Sequence, residues 1–276
     1  MKKERLDDLL LKQGFFHDRK QAQRFIMAGL VLVNKDRVDK PGTRVPTNAK
    51  IELKTKKHAY VSRGGLKLEE ALHAFPINLK DKVMLDIGAS TGGFTDCALQ
   101  NEVKIVYAID VAYGQLAWKL RQDPRVIVME RTNFRYLEPN DLKGETPNFA
   151  TIDVSFISLA NILPKLYNLL EKSCQVVALV KPQFEASREE VETGGIVKDP
   201  IVHKKVLINF IKLAYKVGFD VLGLVPSPIL GTEGNIEFLA YLVKSSSEQE
   251  TKNEEIWERK IEEVVNVAHQ RFNQNN

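Results

Sequence analysis

Cysteine is scarce in this 276-residue sequence: Cys97 and Cys174 are the only two, and they lie far apart. A framework of paired cysteines is thereby excluded, and a reducing compartment is expected. The five histidines (His17, His58, His73, His203 and His269) share no metal-ligand spacing with one another or with cysteine, so no metal is expected. Long apolar runs are missing too. The run Val176 to Val180 has the length of a buried strand, well short of the roughly 18 residues a membrane span requires. Met1-Lys2-Lys3-Glu4-Arg5 leads into an amphipathic pattern, not the apolar centre of a signal peptide. The expectation is a cytoplasmic protein.

Hydrophobic residues make up 43% and charged residues 28%, an ordinary balance for a globular chain long enough for two domains. The net charge of +4 is unevenly spread. Residues 1–57 carry fifteen Lys and Arg against seven Asp and Glu, whereas the rest carries 25 against 29. A basic surplus in a short module reads as a footprint for a polyanion, with a merely solvated basic face as the alternative.

That module is legible in detail. Apolar residues at helical spacing from Arg5 to Leu11 stop at Gly14, and Asp18 is placed to cap a second helix, Arg19 to Ala28, ending at Gly29. A strand at Leu30–Val33, a turn over Asn34–Arg37, a Pro41-Gly42 turn and a strand at Ile51–Leu53 follow. The Arg-Leu-Asp start, the basic second helix and the corner from Ala28 to Asn34 resemble the S-four-type RNA-binding domain, over residues 3 to about 57. Arg5, Lys12, Arg19, Lys20, Arg24, Lys35 and Arg37 are the candidate phosphate contacts, giving affinity and register more than base identity. The polar run from Lys54 to Ser62 reads as a linker. The domain division is 1–57, a linker at 58–64, a second domain at 65–245 and a helical extension at 246–276.

From Gly65 onward, helices alternate with nearly continuous apolar strands: Val83–Ile87, Ile105–Ile109, Val126–Met129, Phe149–Asp153, Gln175–Val180, Phe219–Val225 and Ile236–Val243. Helices are expected at Leu66–Phe75, Gly92–Gln100, Tyr113–Arg121, Ile157–Leu170 and Ile201–Val217. The pattern implies an α/β fold, a mostly parallel, Rossmann-like sheet covered on both faces, with the last two strands able to pair as a hairpin. After a flexible stretch from Ser245, Trp257, Ile261, Val264, Val265, Ala268 and Phe272 mark one side of a final helix, expected to pack on its own domain.

The densest chemical signal is Leu85-Asp86-Ile87-Gly88-Ala89-Ser90-Thr91-Gly92-Gly93-Phe94, which leaves a strand and opens a helix. Such a turn lets a ligand approach backbone closely. Asp110, at the end of the next strand, can accept from ribose hydroxyls. Serine at position 90 and the lack of a Walker lysine favour a nucleoside over a dinucleotide or a nucleoside triphosphate. Gly88, Ser90, Gly92, Gly93, Phe94 and Asp110 are the candidate cofactor-binding residues, with Asp86 and Asn133 as further candidates.

This stretch resembles the S-adenosylmethionine site of class I methyltransferases, in particular the FtsJ-like ribose methyltransferases. The resemblance extends in order through Lys67, Asp153, Lys181 and Glu237, which match that group's Lys-Asp-Lys-Glu tetrad. With the module ahead of it, nearly the whole chain resembles the TlyA family. The resemblance implies a class I sheet with an antiparallel last strand, S-adenosylmethionine as cofactor, and methylation of cytidine 2′-hydroxyls in ribosomal RNA. Ribosomal RNA or ribosomal subunits would be the partners, with neither DNA nor a membrane. Within the tetrad, Lys181 is expected to act as general base, its pKa lowered by Lys67, with Asp153 and Glu237 holding the two amines.

Other chemistries lack their residues. The run Asp153-Val154-Ser155-Phe156 is not the Asp/Asn-Pro-Pro-Tyr/Phe of base amino-group methylation, and neither cysteine sits at a strand end as a nucleophile. The segment from Pro182 to Lys198 is long for a connection and is read as a loop that closes over RNA, with a merely mobile loop as the alternative. A haemolysin and a non-catalytic RNA-binding assembly factor stand as the rival readings.

Overall fold

The computed structural model describes residues 3–16, 18–53, 59–245 and 254–273. The chain folds as two units, Met1–His58 and Ala59–Asn276. Lys54 to His58, the first part of the polar run read as linker, and the stretch 246–253 lie outside the described residues.

In the first unit β1 (Lys3–Arg5) runs straight into α1 (Leu6–Lys12), and α2 (Arg19–Met27) follows. The Asp18 carboxylate accepts from the amides of Lys20 and Gln21, so it caps α2 as its sequence position indicates. β2 (Val31–Val33) pairs antiparallel with both β3 (Asp36–Val38) and β5 (Ile51–Leu53), while β4 (Arg44–Pro46) pairs with β1. The turn expected over Asn34–Arg37 is shorter. Val33 pairs with Asp36, leaving Asn34 and Lys35 at φ 52° and 74°, as a two-residue hairpin loop requires. β1 and β4 are too short to show alternation in sequence. Leu6, Leu10, Ile26 and Val31 close the small core.

The second unit carries β6 (Val83–Ile87), β7 (Ile105–Ile109), β8 (Val126–Met129), β9 (Phe149–Ile152), β10 (Gln175–Val180), β11 (Phe219–Pro226) and β12 (Phe238–Lys244). Their spatial order is β11-β12-β10-β9-β6-β7-β8, with β12 antiparallel to both neighbours. The sheet is therefore mostly parallel with an antiparallel last strand, as the pattern implies. Strand residues alternate between two cores. Met84, Val106 and Val177 face α3 (Gly64–Ala74) and α4 (Gly93–Gln100); Leu85, Tyr107 and Val176 face α6 (Leu163–Leu169) and α8 (Pro200–Val217).

Three expectations need correction. Residues 59–64 are not linker: Tyr60 is buried, its hydroxyl donates to Glu69 at 2.8 Å, and α3 already starts at Gly64. The helix expected over Tyr113–Arg121 is confined to α5 (Trp118–Arg121), because upstream amides are taken elsewhere. Gly114 donates to Glu130 and Ala117 to the Thr91 carbonyl, and Gly114 sits at φ 76°. The helix expected over Ile157–Leu170 breaks into a 3₁₀ turn at Leu159–Asn161, capped by Ser158, and α6.

The segment from Pro182 to Lys198 has structure of its own. α7 (Pro182–Glu185) begins it, and Asn235 then clamps its far end, accepting from Val197 N at 3.0 Å and donating to Gly195 O at 2.9 Å. α9 (Glu254–Asn273) lays Ile261, Val264, Val265 and Ala268 on the parent core, with Trp257 and Phe272 at its margins. No helix among the described residues is long and apolar enough to cross a membrane.

A histidine pair joins α9 to α8. His203 Nε2 lies 3.1 Å from the Val197 carbonyl and its Nδ1 lies 2.9 Å from His269 Nε2. With Nε2 donating to the carbonyl, Nδ1 must accept, so His269 supplies the proton of the second bond. Burial, then the neighbouring His269, push His203 down to about 4. A histidine depressed in the folded state gives stability that is full above its unfolded value of 6.5 and falls away as pH drops toward about 4. Acidification across that window should weaken this unit by on the order of 2–3 kcal/mol. Thermal melts with and without His203→Gln check this, the variant being expected to show a flatter pH response.

Candidate active site

The strand order reverses between β6 and β9, and ligand clefts in open parallel sheets form beyond the strand ends at such a point. Gly88 leaves β6 there at φ 87°, and its amide and that of Ala89 both donate to the Ile109 carbonyl. A Cβ on Gly88 would come within 2.5 Å of the Asp153 carbonyl oxygen. Only glycine lets the ends of β6 and β9 come so close. Beside this junction opens a cleft of about 520 Å³, in the range of about 300–1,000 Å³ usual for small-molecule sites.

Of the eight candidate cofactor residues, Gly88, Ser90, Asp110 and Asn133 line the cleft. Asp110 accepts from the amides of Ser90 and Ala112, both at 2.8 Å, which fixes its carboxylate at the wall. Ser90 takes a left-handed φ of 49° to reach it. Asn133 Oδ1 accepts from Arg135 N and Nε at 3.2 Å. The other four are buried around the turn and are not among the residues lining the cleft. Asp86 is fully buried and accepts from the Thr95 and Thr151 hydroxyls at 2.6 and 2.9 Å; burial pushes it up to about 6. Gly92 lies against Leu116 and Leu120, Gly93 against Ser62 and the Gly64-Gly65 backbone, and Phe94 is buried in the core behind α4. These residues shape the turn; their sequence adjacency to Gly88 does not put them on its open side.

Lys67, Asp153, Lys181 and Glu237 come together from four separate segments. Lys67 reaches from α3 to Glu237, just before β12, at 2.7 Å. Lys181 follows β10 and meets Asp153, just past β9, at 2.6 Å. Asp153 closes the set, its second oxygen 3.9 Å from Lys67. Charges alternate around the cluster, with Asp153 between the two amines. Lys67, Lys181 and Glu237 are 7, 8 and 2% exposed, so each charge is desolvated and depends on its partner. Gly231 backs Glu237 so tightly that a side chain there would collide with the carboxylate.

Sequence reasoning missed the neighbours of this cluster. Ser155 Oγ accepts from Lys181 at 3.1 Å and also lines the cleft. Phe156 is 90% exposed at φ 63°, and its ring lies 5.2 Å from that of Phe184, over which Lys181 stands at 5.9 Å. The signal was present in Asp153-Val154-Ser155-Phe156, but that run was informative in sequence only for the motif it is not. Cys97 and Cys174 are buried free thiols away from the cleft lining, and burial pushes Cys97 up to about 12 and raises Cys174.

In the first unit the candidate phosphate contacts fall into two sets. Arg5 and Arg19 are tied to Asp7 and Asp8, and Lys12 to Glu4. Lys20, Arg24, Lys35 and Arg37 are exposed and form no ion pair among the described residues.

The profile of the FtsJ-like methyltransferase family matches residues 60–244, and that of the S4 domain matches residues 4–51. A Bacillus subtilis protein provisionally named an rRNA methyltransferase is 55% identical over 97% of this chain and 95% of its own length. The 16S/23S rRNA (cytidine-2′-O)-methyltransferase TlyA of Mycobacterium tuberculosis is 41% identical over 86% of this chain and 89% of its own. A solved structure from Streptococcus thermophilus, provisionally named a haemolysin, is 53% identical, covers 100% of this chain and 98% of that one, and superposes with a TM-score of 0.78.

Gly88→Ala combines a left-handed φ with a clash against the Asp153 backbone. It should cost about 1–3 kcal/mol of stability. A melting temperature unchanged from the parent would show that the β6–β9 junction is looser than described.

Proposed function

The chain belongs to the FtsJ-like methyltransferase family and, with its S4 domain in front, to the TlyA family, and from that premise we propose that it methylates ribose 2′-hydroxyls of cytidine in ribosomal RNA, with S-adenosylmethionine as the methyl donor. The observation that carries this reading is the cluster of two amines and two carboxylates, whose Asp153 lines a cleft of nucleoside size.

The residues present fit the cofactor. Asp110, held by two backbone amides, still has lone pairs to accept from ribose hydroxyls, and Gly88 lines the cleft with it. Ser90 and Asn133 add polar groups to the wall. Bound S-adenosylmethionine supplies a methyl carbon on a positively charged sulfur, an electrophile that needs no further activation.

What the chain must add is alignment and removal of a proton. Lys181, held by Asp153 and Ser155, is the group positioned to take the 2′-hydroxyl proton as the oxygen bonds to the methyl carbon. The bonding pair of the departing methyl would stay on sulfur, so the chain need supply no acid for the leaving group. Lys67, fixed by Glu237, sits where an ammonium can hold the sugar oxygen and balance its growing negative charge. Asp153 links the two amines and sets their spacing.

Phe156 supports a nucleotide substrate. Phe156 is a non-glycine residue at positive φ with its ring in solvent, a conformation that costs energy and is more often met at functional sites. A base stacked on this ring would leave its ribose beside Lys181.

Lys181→Met should lower methyl transfer about 100- to 10,000-fold while cofactor affinity stays near the parent value. Labelled cofactor, each purified ribosomal subunit and nuclease mapping of the methylated sugar test this; activity near that of the parent would remove Lys181 from its role, and a methyl on the base would overturn the ribose assignment. Phe156→Ala should instead act on RNA, raising KM for the subunit about tenfold, consistent with the loss of one stacked base. An unchanged KM would exclude the stacking role.

A further inference from the structure

We propose that Asp7 is a positioning residue of the RNA-binding surface: from inside the first unit it sets the guanidiniums of Arg5 and Arg19 as a pre-oriented pair for RNA phosphodiesters. This rests on the reading of that unit as an RNA-binding domain.

Asp7 stands in the first turn of α1 and is fully buried, whereas Arg5 and Arg19 keep 47 and 52% of their side chains exposed. Its two oxygens hold three side chains. Oδ1 accepts from Arg5 Nε at 3.0 Å and from the Asp8 amide at 3.1 Å. Oδ2 accepts from Arg5 Nη2 and from Gln23 Nε2, both at 2.9 Å, with Arg19 Nε at 3.9 Å. Asp8 takes the far end of the Arg19 guanidinium. Arg5 is thus gripped along one edge by a bidentate pair, and Arg19 is held between two carboxylates.

A charge at this position is not what packing alone asks for. Leu6, Leu9 and Leu10 surround it in sequence and are themselves buried, and an apolar residue would cover the same core without desolvating a carboxylate. What the carboxylate adds is orientation. A guanidinium has five donors; the pair with Asp7 occupies Nε and one Nη2 hydrogen of Arg5, and leaves the Nη1 edge. Gly42 independently marks that edge. Its φ lies outside the range that demands glycine, yet a Cβ there would come within 3.2 Å of Arg5 Nη1. The missing side chain keeps the remaining donors of Arg5 clear at the exposed turn.

The chemistry suited to two fixed guanidiniums with outward donors is a run of phosphodiesters, and arginines already held in place lose less side-chain freedom on binding. Lys12, paired with Glu4, and the exposed Lys20, Arg24, Lys35 and Arg37 would then act as ordinary counter-charges.

Asp7→Asn separates this idea from simple electrostatics, because the two predict opposite signs. Removing a negative charge makes the surface more basic, so charge alone predicts tighter RNA binding. Loss of positioning predicts weaker binding. The experiment titrates the full-length chain with deproteinised 16S and 23S ribosomal RNA between about 50 and about 200 mM salt. Asp7→Asn should weaken binding about tenfold with the slope of log K against log salt retained. Lys35→Gln should reduce that slope by about one. Arg5→Lys, a surface change that keeps the charge but not the fork, should weaken binding as Asp7→Asn does, and it decides the matter if Asp7→Asn fails to fold. Affinity equal to or tighter than the parent in Asp7→Asn, or unchanged in Arg5→Lys, overturns the positioning role alone. A parent chain that binds neither RNA overturns the RNA-binding reading along with it.

Discussion

Two desolvated ammonium groups at one sheet rim are tolerable only because a carboxylate reaches each of them from a different part of the chain. Lys67 and Lys181 are each less than a tenth exposed, and unpaired they would lose several kcal/mol of hydration each. Glu237 and Asp153 offset that loss. The arrangement therefore constrains the scaffold: α3 must lie across the sheet, β9 and β10 must be neighbours, and β12 must return antiparallel so that its start meets α3. Gly88 and Gly231 answer the same constraint by leaving room where backbone and carboxylate press together.

The groups around the cluster serve its rigidity in a second layer. Asp86 ties Thr95 at the start of α4 to Thr151 on β9, under the turn. Glu185 accepts from Ser158 Oγ and Leu159 N at 2.7 and 2.8 Å, joining α7 to the segment after Asp153, and burial raises its pKa. Asn235 and His203 hold the far end of the 182–198 segment through Val197. That segment, long enough in sequence to be read as a loop closing over RNA, is thus braced at both ends. Phe156 and Ser90 are exposed residues of this rim held at positive φ.

The first unit uses the same physics for a different end. A buried carboxylate beside guanidiniums again fixes cations in place, but here the cations face water. The rim of the second unit confines its charges; the first unit displays them. A basic module beside a slightly acidic remainder is consistent with RNA captured by one part of the chain and modified by another.

Much of this was legible in the residues. The two-unit division followed from the charge asymmetry and from the change of pattern near Gly65. The parallel sheet followed from apolar strands alternating with helices, and the ligand turn from glycines placed between a strand and a helix. The resemblance to a known tetrad named Lys67, Asp153, Lys181 and Glu237, residues separated by up to 170 positions. Strand and helix periodicity is a local property, which is why β6 to β10 were recognisable one by one. What the sequence could not decide is which side of a turn each residue faces. Asp86, Gly92, Gly93 and Phe94 share a motif with Gly88 yet are buried against Thr95 and Thr151, Leu116 and Leu120, and α3, packing that only the folded chain sets. Nor could it decide which unlike charges meet, since Lys67 finds Glu237 and Arg5 finds Asp7 only when packing has fixed the elements that carry them. Local pattern specified the parts; long-range burial of charge chose their partners.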